Sequence, residues 1–242
     1  MKKLPETDAI FARLAQVNPA ADADATCLRL SVDAKATIPL GLFSRGGRSR
    51  VTVKAWDHDF RSAEKVTPLG IFVPQCNALF LFLVSGPLTA DTIVDCIQAV
   101  WVQLAPRFPA VQTLMLNLDN GPENHSRRTQ FMYRLTQFAD AYHLTIDLAY
   151  YPPYHSKYNP IERVWGVLEQ HWNGALLDSL DTVIQFAQTM TYNHVHPVVT
   201  PLTKTYHTGV KLTHKAMTEL EQRFERLAGL EKYFVRIASL PI

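Results

Sequence analysis

Residues 113–119 read TLMLNLD, an almost unbroken apolar run that ends in a polar turn. A strand that is covered on both faces has this pattern, whereas a half-exposed strand alternates apolar and polar residues. Such strands lie inside sheets that carry helices on both sides. The segment therefore predicts a central strand around which the rest of the fold is arranged.

Strand patterns dominate before this segment, and helices alternate with strands after it. The predicted strands cover residues 27–33, 35–43, 51–56, 69–74, 77–84 and 144–150, and the predicted helices cover residues 8–17, 89–104, 128–142, 161–172, 180–190 and most of the tail from 213. A glycine-containing turn at 44–50 joins two of the strands. This order predicts an α/β fold in which helices flank a mixed sheet.

The same patterns predict three parts along the chain. Residues 1–26 form an opening helix and an Ala/Asp-rich linker, residues 27–200 form the main domain, and residues 201–242 form a C-terminal helical tail. No repeat or low-complexity tract interrupts them.

Composition excludes several classes of protein. The 242 residues are 47% hydrophobic and 19% charged, which is typical of globular proteins and not of disordered or collagen-like chains. The longest apolar run, residues 78–84, is far shorter than the roughly 20 residues that cross a bilayer. Glu6 and Asp8 interrupt the stretch that a signal peptide would need, so we expect a cytoplasmic protein without membrane contact.

The three cysteines do not indicate a metal or disulfide site. Cys27, Cys76 and Cys96 are far apart in sequence and form no pair with metal-ligand spacing. Their apolar surroundings predict buried, reduced thiols.

Three acidic residues stand where predicted strands or helices begin or end. Asp33 lies at the end of the first strand, Asp119 follows the central strand, and Glu162 lies in the first turn of a helix. They are 86 and 43 positions apart, so only the fold can bring them together. Three converging carboxylates repel each other unless a cation neutralises them, and hard oxygen ligands select Mg²⁺ or Mn²⁺. Two such ions catalyse in-line phosphoryl transfer.

Each acid also has a structural explanation. Asp119 begins the sequence DNGPEN, which is typical of an Asx turn. Glu162 is the third helical residue after Asn159, a candidate N-cap, and Pro160. Asp33 could simply end a strand. None of the three acids is specific on its own.

Four segments together carry a family resemblance: SVDAKA at 31–36, WDHDF at 56–60, LDNGPENHSRRTQF at 118–131 and YYPPYHSKYNPIERVWGVLEQHWNG at 150–174. They resemble the catalytic domain of bacterial DDE transposases, specifically insertion-sequence transposases of the ISAzo type. The resemblance covers roughly residues 27–200. It implies an RNase H-like fold of the retroviral integrase superfamily, and DNA strand cleavage and strand transfer with a triad at Asp33, Asp119 and Glu162.

The resemblance also implies partners and cofactors. The expected partner is DNA, both the ends of the element and the target, and the expected cofactors are two Mg²⁺ or Mn²⁺ ions. No organic cofactor is expected, and a homo-oligomer is compatible with the resemblance. Members of the group normally carry an N-terminal DNA-reading region, which is expected to be absent here because about 26 residues precede the first strand. Two alternatives stay open: a host nuclease of the same fold, and a non-catalytic DNA-binding remnant.

Candidate DNA contacts fall in two segments. Arg45, Arg48, Arg50 and Lys54 lie in a hairpin without acidic residues, although the net charge of the whole chain is only +2. The loop before Glu162 adds further candidates for holding a phosphate, namely His155, Ser156, Lys157 and Asn159. The nearby Trp165 and Trp172 are more typical of a core than of base stacking. His58 and Asp59 could form an orienting pair or pack at a strand end.

Overall fold

The structure is a computed structural model that describes residues 4–43, 62 and 64–240. Its strands are β1 Cys27–Ala34, β2 Ile38–Pro39, β3 Lys65–Val73, β4 Ala78–Val84, β5 Thr113–Leu118, β6 Thr145–Tyr150, β7 Val198–Leu202, β8 Phe224–Arg226 and β9 Phe234–Ile237. Its α-helices are α1 Thr7–Ala23, α2 Ala90–Leu104, α3 Thr129–Tyr142, α4 Pro160–His171, α5 Leu180–Thr189 and α6 His214–Glu221. The part of the chain that is described contains no helix long and apolar enough to cross a membrane.

The strands form one mixed sheet, as predicted. Its order is β7-β4-β3-β1-β5-β6-β9-β8, with β2 paired to β3 outside this path. The central strands β1, β5 and β6 are parallel to one another, whereas β3 and β4 form an antiparallel hairpin beside β1. The strand predicted from 113–119 lies between two parallel neighbours, which explains its apolar sequence.

Helices cover the sheet on both faces and produce two cores. Helices α1, α2 and α3 pack on one face, and α4 and α5 pack on the other. The side chains of strand β4 alternate between the two cores. Phe80 and Phe82 belong to the first core, while Leu79, Leu81 and Leu83 belong to the second. The continuous apolar run of this strand therefore follows from burial on both faces.

The N-terminal helix is longer than predicted. The sequence suggested a helix over 8–17 and a linker, but α1 continues through Pro19 to Ala23. Polar contacts hold this extension to the sheet: Arg29 donates to Asp22 at 2.8 Å and to Asn117 at 3.0 Å, and Asn117 donates to Asn18 at 3.0 Å. Tertiary contacts and the alanines of this segment thus outweigh the cost of a proline within a helix.

The C-terminal tail is only partly helical, which corrects the prediction. Helix α6 is short, and β8 and β9 then extend the sheet, with β9 antiparallel to β6. Strand β7, which pairs in parallel with β4, was not predicted. Its residues are mostly half-exposed or exposed, so it lacks the apolar pattern from which strands are recognised.

We predict that the C-terminal strands contribute to global stability. Ile237 of β9 is fully buried, whereas Leu240 is 56% exposed. Ile237→Ala is expected to lower the free energy of unfolding by about 2–5 kcal/mol, because it leaves a cavity. Leu240→Ala, the control, is expected to change it by less than about 0.5 kcal/mol. Urea denaturation measures both; equal effects would contradict an integral role for β9.

Candidate active site

Asp33, near the end of β1, and Asp119, directly after β5, lie at the same end of two neighbouring parallel strands. The last pair of these strands is Ser31 with Asn117, and each acid follows two residues further along its own segment. Neighbouring strands are about 4.8 Å apart. The parallel register therefore brings together two acids that are far apart in sequence.

The Asp33 carboxylate is buried and oriented by Trp165. The indole Nε1 of Trp165 donates to Asp33 Oδ2 at 2.8 Å. Opposite Asp33 on β3 stands Gly70, where an added Cβ would lie 2.6 Å from the indole. The absence of a side chain at Gly70 thus gives the indole the space in which it reaches Asp33. Trp165 is a core residue, as predicted, but it also contacts a candidate catalytic acid.

The surroundings of Asp33 favour its protonated form. Its pKa is raised to about 7, first by burial, then by the negative charge of Asp119 and, to a smaller extent, that of Glu162. The hydrogen bond from Trp165 opposes this change because it stabilises the carboxylate. Both other acids are therefore close enough to act on Asp33 electrostatically.

Helix α4 carries Glu162, and hydrogen bonds fix its first turn to β1. Ser31 Oγ donates to Asn159 Oδ1 at 2.5 Å and accepts from the Ile161 amide at 2.9 Å. Asn159 Nδ2 donates to the Val32 carbonyl at 3.1 Å. Asn159 and Pro160 occupy the predicted N-cap and first helical positions, but the Asn159 side chain does not cap the helix. It joins the helix to the strand instead.

The loop after β5 holds the Asp119 carboxylate from two directions. Asp119 Oδ1 accepts from the Gly121 amide at 3.3 Å and from Asn124 Nδ2 at 2.7 Å. The first contact is the Asx turn that the sequence suggested. Asn124 is in turn held by Tyr150, whose hydroxyl donates to the Asn124 carbonyl at 2.6 Å. A turn role and a site role for Asp119 are therefore compatible.

A cavity of about 790 Å³ opens at this edge of the sheet. Asp33 and Asp119 line it, together with Lys35, Lys65 and Asn124; Glu162 does not. Among the residues that the structure describes, no three His, Cys, Asp or Glu side chains are close enough together to hold one metal ion. The three acids thus do not form the single metal-binding cluster that the sequence predicted. Without a cation, mutual repulsion of the carboxylates favours keeping them apart.

The oxygen atoms around Asp119 nevertheless suit the binding of a hard divalent cation. The Asn124 Oδ1 atom is buried and has no hydrogen-bond partner within the described part of the chain. A Cβ at Gly121 would lie 3.0 Å from this atom and 3.2 Å and 3.3 Å from the two Asp119 carboxylate oxygens. Glycine therefore leaves a space bordered by three oxygens, which is the donor type that Mg²⁺ and Mn²⁺ prefer.

Two other acids near the site have structural partners. Glu123 accepts from the Ala90 amide at the start of α2 and forms an ion pair with Arg128. Glu169 forms an ion pair with Lys35 at 3.2 Å and accepts from Trp172 at 2.8 Å. Glu123 therefore has structural contacts although it lines the same cavity as Asp33 and Asp119, and Glu169 does not line that cavity.

The structure corrects the prediction that Asn159 holds a phosphate, because its side chain is fully buried and bonded to β1. His155 is also buried: it bonds the Pro153 carbonyl at 2.9 Å and packs edge-on against Phe11. Ser156 is half-buried, and Lys157 is exposed above the Tyr158 ring. Only the last two are placed to meet a ligand from solvent.

The remaining predicted DNA contacts lie outside the described residues. They are Arg45, Arg48, Arg50 and Lys54, and the candidate pair His58 and Asp59 lies there as well.

A known family model covers almost the whole chain. The family model of the Rhodopirellula transposase DDE domain matches residues 1–239. The chain belongs to the DDE transposase family. DDE transposases generally use divalent metals and act as polynucleotidyl transferases. No curated protein matches the sequence of this transposase domain.

Two solved structures share the fold of this transposase domain. The Mos1 transposase paired-end complex with the left transposon end has a TM-score of 0.50 at 12% identity. The Mos1 mariner paired-end complex with Mn has a TM-score of 0.51 at 11% identity. Each match covers 76% of this chain and 55% of the Mos1 chain. The predicted RNase H-like fold is confirmed.

We predict that Gly70 is required for the position of Trp165. Gly70→Ala is expected to destabilise the protein by about 1–3 kcal/mol, because the methyl group overlaps the indole. Gly166→Ala is the control: this residue is inside α4, and among the described residues nothing apart from its chain neighbours and its own helix backbone lies within 4 Å of its Cβ position. That variant is expected to gain up to about 1 kcal/mol from helix propensity. Thermal unfolding compares the two; a neutral Gly70→Ala would refute the close packing.

A second prediction concerns stability against pH in the presence of EDTA. The pKa of folded Asp33 is raised above its unfolded value, so the folded state binds this proton more tightly. The resulting stability is present below about pH 4 and is lost as the pH rises through about 7. Relative to wild type, Asp33→Asn is therefore expected to gain stability between these values, by at most about 4 kcal/mol.

Urea denaturation at several pH values measures this difference. Asp181→Asn, which removes an exposed carboxylate on α5, is the matched control and should show a difference from wild type that does not vary over this range. An Asp33→Asn curve that runs parallel to wild type would contradict the raised pKa.

Proposed function

We propose that this transposase domain cleaves DNA strands and joins the resulting ends, using Asp33, Asp119 and Glu162 with Mg²⁺ or Mn²⁺, two ions in all. The main support is that Asp33 and Asp119 each lie two residues after the last pair of β1 and β5 and line one cavity, while the helix that carries Glu162 is bonded to β1. Membership in the DDE transposase family agrees with this reaction class.

The bound cations would supply Lewis-acid stabilisation of charge on the reacting phosphate oxygens. The chain's own contribution is orientation. Trp165 orients the Asp33 carboxylate, Asn124 and Gly121 orient that of Asp119, and the Ser31 hydrogen bonds set the position of the helix that carries Glu162. Held in this way, the carboxylates do not have to reorganise during the reaction.

Both proposed steps are in-line phosphoryl transfers. In cleavage, a water oxygen bonds to phosphorus, the bond to the 3′-oxygen breaks, and the released 3′-oxygen takes up a proton. In joining, that 3′-hydroxyl forms a bond to a target phosphorus and displaces the target's own 3′-oxygen. The same groups serve both steps because attacking and leaving oxygens exchange roles.

Lys65, which is exposed and lines the cavity, is proposed to contact a phosphate of the substrate; Lys35 also lines the cavity but is paired with Glu169. Ser156 and Lys157 are proposed as further phosphate contacts, and so are Arg45, Arg48, Arg50 and Lys54, which lie outside the described residues.

Two other functions remain to be separated from this one by experiment. A host nuclease of the same fold would cut DNA without joining ends, and a non-catalytic remnant would bind DNA without cutting it. A gene placed between inverted repeats supports the transposase, and strand-transfer products exclude the nuclease.

We predict that Asp33→Asn, Asp119→Asn and Glu162→Gln each reduce Mg²⁺-dependent cleavage by at least about 100-fold while the protein stays folded. Removing a charge from a group of like charges relieves repulsion, so thermal stability is expected to be unchanged or higher. Cleavage of a labelled DNA duplex and thermal unfolding are the measurements.

Asp181→Asn serves as the control and is expected to cleave at the wild-type rate, because this exposed residue does not line the cavity. Glu123→Gln and Glu169→Gln test the choice of the third acid. If cleavage is lost in either of them but kept in Glu162→Gln, the assignment of Glu162 is wrong.

A further inference from the structure

A second, smaller cavity lies beside the loop that follows Asp119. It has a volume of about 280 Å³, and we call it the cationic notch, after Asn120, His125, Arg127 and Lys232, which line it together with Pro153. Its volume has room for a phosphate group and several water molecules.

The notch is formed where three separate segments meet. Asn120 directly follows Asp119, at a Cα separation of about 3.8 Å. Pro153 belongs to the loop that leads to Glu162, and Lys232 belongs to the turn between β8 and β9. The notch therefore touches the loop that follows Asp119 and the loop that precedes the helix of Glu162, although it is a different cavity from the one that Asp33 lines.

The two strong cations of the notch lack ion pairs within the described residues, unlike the arginines around them. Arg127 and Lys232 are both exposed. The paired arginines nearby are Arg128 with Glu123, Arg223 with Asp140, Arg226 with Glu221 and Arg236 with Asp147. The carboxylate of Glu231 accepts from the Gly229 amide at 2.8 Å. The charge of Arg127 is thus available to a ligand, and Lys232 adds a second positive charge, which also acts on the neighbouring Glu231.

Hydrogen bonds hold this arrangement in place before any ligand binds. Ser126 Oγ donates to the Lys232 carbonyl at 2.8 Å, and Arg226 donates to the Ser126 carbonyl at 3.1 Å. The Arg127 amide donates to His125 Nδ1 at 3.2 Å. The backbone of the loop after Asp119 is therefore joined to that of the C-terminal turn, so less backbone has to be ordered when a ligand binds.

The lining of the notch offers cationic and amide groups to an anion. An anion bound here would meet Arg127, Lys232 and the Asn120 amide. Arginine and amide groups are common phosphate donors in DNA complexes.

We infer that the cationic notch binds a backbone phosphate of the substrate DNA, next to the phosphate that is cut. The inference rests on the proposed function. It also assigns a role to the hairpin of β8 and β9, whose turn brings Lys232 to the end of the sheet at which Asp33 and Asp119 lie.

The test is the salt dependence of DNA binding by the whole chain. Anisotropy of a fluorescein-labelled DNA duplex is measured in EDTA, so that no cleavage occurs, from low to moderate salt. Loss of one phosphate contact lowers the magnitude of the log-affinity against log-salt slope by about 0.9. Arg127→Gln is expected to lower it by about 0.9, and Arg127→Gln with Lys232→Gln by about 1.8.

Arg107→Gln is the matched control. Arg107 is exposed and precedes β5, so it lies at the opposite end of this strand from Asp119, about 20 Å away. Its slope is expected to equal that of wild type. If Arg107→Gln lowers the slope as much as Arg127→Gln does, the effect is one of overall charge and the inference fails.

Wild-type cleavage in Mg²⁺ separates failure of this inference from failure of the proposed function. If wild type binds and cuts DNA but the folded double variant keeps the wild-type slope, the notch assignment alone is overturned. If wild type neither binds nor cuts DNA, the proposed function fails and the notch assignment fails with it. Thermal unfolding verifies that each variant is folded.

Discussion

The contact between the first turn of α4 and β1 determines the geometry of the site. Ser31 accepts the Ile161 amide and donates to Asn159, while Asn159 reaches the Val32 carbonyl. These groups are fully buried, so breaking any one of the bonds would leave a polar atom unsatisfied. One turn of helix is thereby fixed against the strand that carries Asp33, and Glu162 is placed by the same bonds.

The site also stores unfavourable electrostatic energy. Burial raises the pKa of Asp33 to about 7, with Asp119 and Glu162 adding to the effect. Folding tolerates this because Trp165 donates to Asp33, and because Asp119 has its own donors in Gly121 and Asn124. Strained or destabilised groups of this kind are typical of functional sites, where the cost is offset by packing elsewhere.

The C-terminal segment connects the distant edge of the sheet to the active site. Strand β9 pairs with β6, and the turn before it places Lys232 against the loop after Asp119. Arg226 strengthens this connection through the Ser126 carbonyl. Residues at the end of the chain thus contribute to the surroundings of an acid more than 100 positions earlier.

The mixed α/β fold and the three candidate acids can be predicted from the sequence, because long apolar runs and helical periodicity are local signals. The turn DNGPEN and the start of α4 at Pro160 were also readable, since glycine, asparagine and proline restrict the backbone locally. The continuation of α1 through Pro19, the addition of β8 and β9 to the sheet and the burial of Asn159 are visible only in the folded protein. Each of these depends on partners far away in sequence, such as Asn117 for Asn18, β6 for β9 and Ser31 for Asn159. The register of β1 with β5 brings Asp33 near Asp119. It likewise arises from packing on both faces of the sheet, so it cannot be predicted from the sequence of either strand alone.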